Sequence, residues 1–201
     1  MTKFLKHYAL EIYTVLSMML LLVGGLLDNL TVIQKYTLVY AFLFILHEWE
    51  EGHYPGGFID MISALICINP SDEIRRASRI PTGILLLTFT YVPFVLKDNV
   101  VAILVVAFLG VLEGCVHIAG IRLWHQKRPY TPGMVTAEME LIVSVALFFY
   151  LSRNGLAVWT DYMFGFAIMF ACFVVMQKTL TMMVGIRYSD IPKMIRKQWK
   201  S

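Results

Sequence analysis

Histidine and glutamate residues recur at one-turn spacing in the segment His47-Glu48-Trp49-Glu50-Glu51, at the end of an apolar run. On a helix, His47 shares a face with Glu50 at position i+3 and Glu51 at i+4, the spacing at which a helix can present two ligands to one ion. The letters read His-Glu-x-x-Glu, a relative of the zinc-protease sequence His-Glu-x-x-His. The pattern predicts His47 and Glu51 as metal ligands. Glu50, rotated by about 100° from Glu51, is the predicted general acid or base.

A second pair at the same spacing, Glu113 and His117, lies in a later apolar run. An acid more than halfway across a membrane span costs a few kcal/mol and persists mainly with a partner or a task. Both runs are expected to travel toward the same side of the membrane, and their ionisable residues reach similar depths at about 1.5 Å per residue. We therefore predict Glu113 and His117 as further ligands, with a purely structural Glu–His pair as the alternative.

Further residues are candidates for the same depth in the membrane as these ligands. Glu138 and Glu140 lie at the start of the fifth apolar run, and we expect one of them to face inward. We predict Glu138 as the ligand. Alternatively, either carboxylate could simply stabilise the N-terminus of that helix. Tyr130 is a candidate proton donor or orienting hydroxyl. His53 and His125 lie in loop-like sequence, which favours surface positions.

The elements that must position these residues are transmembrane helices. Hydrophobic residues make up 58% of the 201 residues, charged residues 15%, and the mean hydropathy is +0.68. This predicts an all-α bundle of about six spans. A further apolar stretch at 58–68 is too short to cross and predicts an interfacial or re-entrant helix. The predicted spans are 8–27, 31–48, 80–96, 99–124, 133–151 and 155–177.

We expect one transmembrane domain over residues 1–186 and a basic amphipathic tail over 187–201. With six crossings, 14 of the 17 Lys and Arg residues lie on the side of both termini, leaving Lys35, Lys97 and Arg153 on the other. The positive-inside rule then places both termini in the cytoplasm. The basic residues form no stripe interleaved with exposed aromatics, which excludes a nucleic-acid partner. The three cysteines have no CxxC spacing, which argues against a disulfide framework.

Taken together, the motifs resemble a known family. The order of His47-x-x-Glu50-Glu51, then His117, then Tyr130-Thr131-Pro132-Gly133 leading into Thr136-Ala137 is similar to the HxxEE family of small bacterial membrane proteins, over nearly the whole chain. The resemblance implies a multi-pass protein of the inner membrane, but no particular activity, since the family is named after its motif. The chain departs from the family at Glu113, where the resemblance leads us to expect an amide.

These residues favour a membrane metalloenzyme acting on a lipidic or amphipathic substrate, with His47, Glu51 and His117 holding zinc or iron for hydrolysis or group transfer. If Glu113 and Glu138 also bind, the carboxylate-rich set suits two irons and oxidation of an acyl or isoprenoid chain. The rival class is a proton- or cation-coupled transporter, and a metal-free scaffold is a third. A transporter predicts ionisable residues through the full thickness, whereas here they gather in one half. Metal, substrate and oligomeric state are left open.

Overall fold

The protein is built from helices. The computed structural model describes residues 2–66, 68–123 and 129–198, and these residues contain α-helices and a 3₁₀ turn but no strand, which confirms the predicted all-α class. The helices of the described residues, in chain order, are α1 Thr2–His7, α2 Ala9–Gly25, α3 Val32–Gly52, α4 Phe58–Leu65, α5 Asp72–Ala77, α6 Arg79–Val95, α7 Val100–Leu123, α8 Met134–Arg153, α9 Trp159–Met183 and α10 Ile191–Gln198.

Membrane-spanning length is reached by four helical segments of the described chain. They are Asp72–Val95, which joins α5 to α6, Val100–Leu123, Met134–Arg153 and Trp159–Met183. α2 is apolar but only 17 residues long. Four of the six predicted spans are thus present as helices long and apolar enough to cross, and the crossings by α2 and α3 stay a prediction.

The amino end of α3 is fixed against the far end of α6. Thr31 and Gln34 form a capping box, in which each side chain accepts a hydrogen bond from the backbone N–H of the other. The Thr31 hydroxyl also donates to the carbonyl oxygen of Lys97 at 2.8 Å, and the Gln34 amide donates to that of Phe94 at 3.1 Å. These bonds hold one end of α3, so that its other end, with the His-Glu motif, keeps a set position beside the start of α6.

Two glycines on α7 allow close contact with α8. A Cβ at Gly110 would lie 2.5 Å from the Ser144 hydroxyl, and a Cβ at Gly114 would lie 2.7 Å from the Leu141 Cβ. The pair forms a GxxxG sequence, typical of helices that approach closely in membranes. Since Glu113 stands within this sequence, the same contact brings Glu113 and His117 beside the start of α8.

The interior and the lipid-facing surface are both apolar. Tyr40, Phe44, Ile103, Leu104 and Leu147 are fully buried between α3, α7 and α8. α9 instead exposes large apolar side chains along much of its length, as expected for a helix in contact with lipid. These include Met163, Phe164, Phe166, Phe170 and Val175.

Two short helices lie near the site end of the bundle. The stretch predicted as a short helix at 58–68 is helical over Phe58–Leu65. The predicted tail forms a 3₁₀ turn at Tyr188–Asp190 and then α10, which packs against α4. Placement of either helix at a membrane surface stays a prediction.

Candidate metal centre

Two buried imidazoles meet where α3, α7 and α8 come together. His47 is 4% exposed and His117 is fully buried. The Oε1 atom of Glu51 lies 3.5 Å from the Nε2 atom of each histidine. Ligand atoms about 2.0–2.1 Å from a tetrahedral ion lie roughly 3.3–3.5 Å apart, so these separations fit a shared metal. The structure therefore brings the two histidine segments together at Glu51.

Glu113 completes the group from the side of α7. Its Oε2 atom lies 4.0 Å from the Nε2 atom of both His47 and His117. One ligand atom from each of these three residues lies within 4.8 Å of the other two, so the group could hold a metal ion. The spacing is slightly wider than a bound ion requires, and a small side-chain adjustment closes it.

The far nitrogens of both histidines are hydrogen-bonded by the segment before α8. His47 Nδ1 lies 3.1 Å from the carbonyl oxygen of Gly133 and 3.0 Å from the hydroxyl of Thr136, and His117 Nδ1 lies 2.9 Å from the hydroxyl of Thr131. A carbonyl can only accept, so His47 Nδ1 carries the hydrogen, and Nε2 is the ring nitrogen that faces Glu51. Metal-binding histidines are commonly oriented in this way. The Nε2 atom of His117 is buried and has no hydrogen-bond partner among the described residues.

Gly133 lies directly against the centre. Its φ of +92° is in the left-handed region that favours glycine. A Cβ there would lie 2.7 Å from the Glu51 Cγ, 2.8 Å from the His117 Cε1 and 3.0 Å from the His47 Cε1. Only a residue without a side chain fits between these three groups, so the Pro132-Gly133 turn forms one wall of the site.

More acidic than basic side chains surround the centre. Glu48, Glu51 and Glu140 are buried with Glu113 beside them, and Glu140 interacts electrostatically with the other three. Within the described chain, Arg79 is the one Lys or Arg in ion-pair contact with any of these four acids; its Nη1 atom lies 2.7 Å from Glu48 Oε2 and 3.5 Å from Glu51 Oε2. Buried carboxylates require compensation, and a divalent cation between the imidazoles would supply it.

Glu50 points away from the imidazoles and to the start of α8. Its carboxylate accepts from the Thr136 hydroxyl at 2.6 Å, the Thr136 and Val135 backbone N–H groups at 3.0 and 3.2 Å, and the Tyr130 hydroxyl at 2.8 Å. A carboxylate at a helix N-terminus also stabilises the helix dipole. Partial burial, together with the bond to the Glu50 carboxylate, raises the pKa of Tyr130, so its phenol stays a donor. Glu50 thus connects through Thr136 to the His47 ring.

The remaining residues predicted from the sequence differ in burial. Glu138, the predicted ligand on α8, is half-buried and is not part of the group of ligand atoms. Glu140 is fully buried, and neither of its carboxylate oxygens has a hydrogen-bond partner in the described structure. His53 is exposed, as expected, with its ring 5.1 Å from that of Trp49. His125 lies outside the described residues.

Some site residues were not expected from the sequence as site residues. Arg79 is not among the residues predicted from the sequence to form the site, but it pairs with Glu48 and Glu51. Phe58, at the start of α4, stacks on His117 with ring centroids 5.1 Å apart. Thr131 and Thr136 were part of the family-like motif, but their hydrogen bonds to the imidazoles depend on the fold of the turn.

Two cavities on the side of α4 border Glu51 at the edge of the centre. The polar cavity, of about 350 Å³, lies between α2, α4 and α5. The apolar cavity, of about 330 Å³, lies between α4, α6 and α9 and continues to α10. Ile59, Glu51 and Arg79 line both. Glu51 therefore borders both a charged space and a hydrophobic one.

Comparison of the chain with protein-family models, with curated protein sequences and with solved structures gives no match. The resemblance to the HxxEE family stays a prediction from the motif residues.

Proposed function

We propose that the protein is a membrane-embedded, metal-dependent enzyme that hydrolyses an amphipathic substrate, or transfers a group from it, at the cytoplasmic leaflet. The observation that carries this proposal is the meeting of two Nε2 atoms with the carboxylates of Glu51 and Glu113 at 3.5 and 4.0 Å. His47, His117, Glu51 and Glu113 would hold the ion, and imidazole with carboxylate suits zinc or iron. Such an ion polarises a substrate carbonyl or phosphoryl oxygen and lowers the pKa of bound water.

The surrounding residues have positioning roles in this proposal. Thr136 and Thr131 orient the two imidazoles through their Nδ1 atoms. Glu50, expected from the sequence to transfer protons, already accepts four hydrogen bonds, so we assign it to holding Thr136 and the start of α8. Arg79 holds the second oxygen of Glu51 and limits the motion of that ligand.

The cytoplasmic position of the site is part of the proposal. The polar cavity is lined by Arg75, Arg76 and Arg79, and the positive-inside rule assigns such basic segments to the cytoplasm. The likeness to the HxxEE family is consistent with the same centre: the matching positions His47, Glu51, His117 and Gly133 lie in contact around it.

A second candidate function is a di-iron carboxylate oxidoreductase acting on an acyl or isoprenoid chain. Glu140 favours it, because this fully buried carboxylate interacts electrostatically with His47 and Glu113 and has no hydrogen-bond partner in the described part of the chain. Two-iron sites in helical bundles use several such carboxylates. This function requires two ions per chain, whereas the hydrolase requires one.

The test is metal-dependent hydrolysis by purified protein in detergent. A panel of p-nitrophenyl esters and phosphate esters with alkyl chains would be incubated with the protein after chelation and again after adding zinc or iron(II). We expect release of p-nitrophenol that needs metal and that is lost in His117→Ala. Asp98→Asn, which changes an exposed carboxylate between α6 and α7, is the matched control and should leave the rate unchanged. Metal-independent rates, or equal rates in the wild type and His117→Ala, would contradict the proposal.

A further inference from the structure

The polar and apolar cavities meet at one place, beside Glu51 and Arg79. The apolar cavity has a hydrophobic lining contributed by α4 and α9, including Ile62, Ile66, Phe173 and Leu180. The polar cavity is lined by acids and arginines, including Asp60, Arg75 and Arg76. Each volume is near the lower end of typical ligand pockets, roughly 300–1,000 Å³. A molecule occupying both would need a hydrophobic part and a charged part, joined beside the metal centre.

The charged residues that line the polar cavity indicate which kind of headgroup it would bind. Arg75 is paired with Asp60 and lies 3.6 Å from Asp72, and Arg79 is paired with Glu48 and Glu51. Arg76 has no ion-pair partner among the described residues, and it is exposed at the edge of the cavity. An accessible guanidinium without an ion pair at the mouth of a cavity favours an anion that can accept two hydrogen bonds.

More basic residues continue from Arg76. A cavity of about 230 Å³ beside the first is lined by Lys3, Lys6, His7, Glu73 and Arg76. Lys6 pairs with Glu73 at 2.9 Å, which leaves Lys3 and Arg76 without an acid in contact with either of them in the described structure. His7 and Arg76 line both cavities, so the positive charge extends from the surface toward the centre. Such a field draws anionic groups toward the site.

We propose that the substrate is an amphiphile with a single hydrocarbon chain and an anionic headgroup, with the chain in the apolar cavity and the headgroup bound by Arg76 in the polar cavity. This deepens the proposed function and rests on it for the chemistry, but the binding itself needs only the two cavities. The anion is a phosphate or a carboxylate, the groups that guanidinium recognises through two parallel hydrogen bonds. The bond joining head to chain then lies beside Glu51.

The experiment measures binding of a photoreactive alkyl phosphate with a diazirine at the chain end, using purified protein in lipid nanodiscs. After irradiation, digestion and mass spectrometry, we expect labelled peptides from α4 and α9, the helices that line the apolar cavity. Unlabelled alkyl phosphate should compete. Inorganic phosphate and an alkyl trimethylammonium of equal chain length should not, which separates an anionic amphiphile from a free anion and from any amphiphile.

Two variants test the two halves of the binding site. Arg76→Gln should weaken competition by the alkyl phosphate about tenfold, because it removes the charged hydrogen-bond donors for the headgroup. Leu180→Trp should abolish labelling of α4 and α9 by filling the apolar cavity. Lys178→Gln is the matched control: it removes one positive charge from an exposed position on α9 and should bind like the wild type.

Failure of this inference is distinguishable from failure of the proposed function. The same labelling in His117→Ala reports binding without the metal centre, and we expect it to persist. Labelling elsewhere on the chain, equal competition by the trimethylammonium compound, or an unchanged affinity in Arg76→Gln would each overturn the inference, whatever the metal content. Specific labelling in a protein that holds no metal would support the inference while removing the enzymatic proposal.

Discussion

The rings of His47 and His117 meet edge to face, with centroids 5.3 Å apart and planes at 89°. Each ring turns its Nδ1 atom to a threonine hydroxyl and its Nε2 atom toward Glu51. Two residues 70 positions apart in the chain thus present equivalent nitrogens to one point. The predictions below test whether that point holds a metal and what keeps the two rings in place.

Gly133 supplies the first prediction. Gly133→Ala should abolish metal binding, because its Cβ would lie within 3.0 Å of Glu51, His117 and His47. The strain of a left-handed alanine is roughly 1–2 kcal/mol, and overpacking adds about 1–3 kcal/mol. Metal content and thermal unfolding in detergent measure both effects.

Gly155→Ala is the control for that substitution. Gly155 also has a positive φ, +61°, but a Cβ there meets nothing within 4 Å. It should lower stability only by the backbone strain and leave the metal content unchanged. Equal metal content in both alanine variants would mean that Gly133 does not border the site.

The threonine hydroxyls should set metal affinity. Thr136→Val removes the group that lies 3.0 Å from His47 Nδ1 and also bonds Glu50. Loss of such a contact typically weakens metal binding about 10- to 100-fold. Competition with a chelator of known affinity measures the change. Thr179→Val removes an exposed hydroxyl that bonds only its own helix and should have no effect on affinity.

The acidic ligands can be ranked by substitution with glutamine. Glu113→Gln should lower metal affinity strongly, because Glu113 Oε2 lies 4.0 Å from both Nε2 atoms. Glu138→Gln should lower it less, because Glu138 is not part of the group of ligand atoms. Chelator titration of both variants gives the comparison. A larger loss in Glu138→Gln would favour Glu138 as a ligand, as predicted from the sequence.

Arg79 should be needed for stability as well as for ligand position. Arg79→Gln leaves buried Glu48 without its partner, and breaking a buried ion pair costs about 3–5 kcal/mol. The double variant Arg79→Gln with Glu48→Gln should recover much of that loss, since no buried charge is then left alone at the pair. Thermal unfolding of the wild type, both single variants and the double variant tests this. Additive losses would show that the two side chains do not interact.

The fold was predictable where apolar runs determine the helices. The predicted fourth span, 99–124, is helical over Val100–Leu123, because a long apolar run in lipid has few alternatives. The second span, predicted to end at residue 48, continues to Gly52. A charged turn predicts the end of an apolar span, but in the folded protein this turn is packed inside the bundle, where Glu48 and Glu51 are buried.

The site was predictable in its local part only. His47 with Glu51 and Glu113 with His117 are each one turn apart, so their spacing alone indicated a shared face. Arg79, Thr131 and Gly133 contact the centre because α6 and the turn before α8 fold against α3, which no local spacing reveals. Glu140 is fully buried and Glu138 is half-buried, because residues two positions apart on a helix face different sides. Spacing alone does not show which of the two faces inward.

The most direct test of the account is the metal content of purified protein, measured by inductively coupled plasma mass spectrometry. The wild type and His53→Ala, an exposed histidine outside the group, should hold about one zinc or iron per chain. His47→Ala and His117→Ala should each hold almost none, while eluting as folded protein in size-exclusion chromatography. No metal in any of the four samples, or equal metal in all four, would contradict a centre built on His47 and His117.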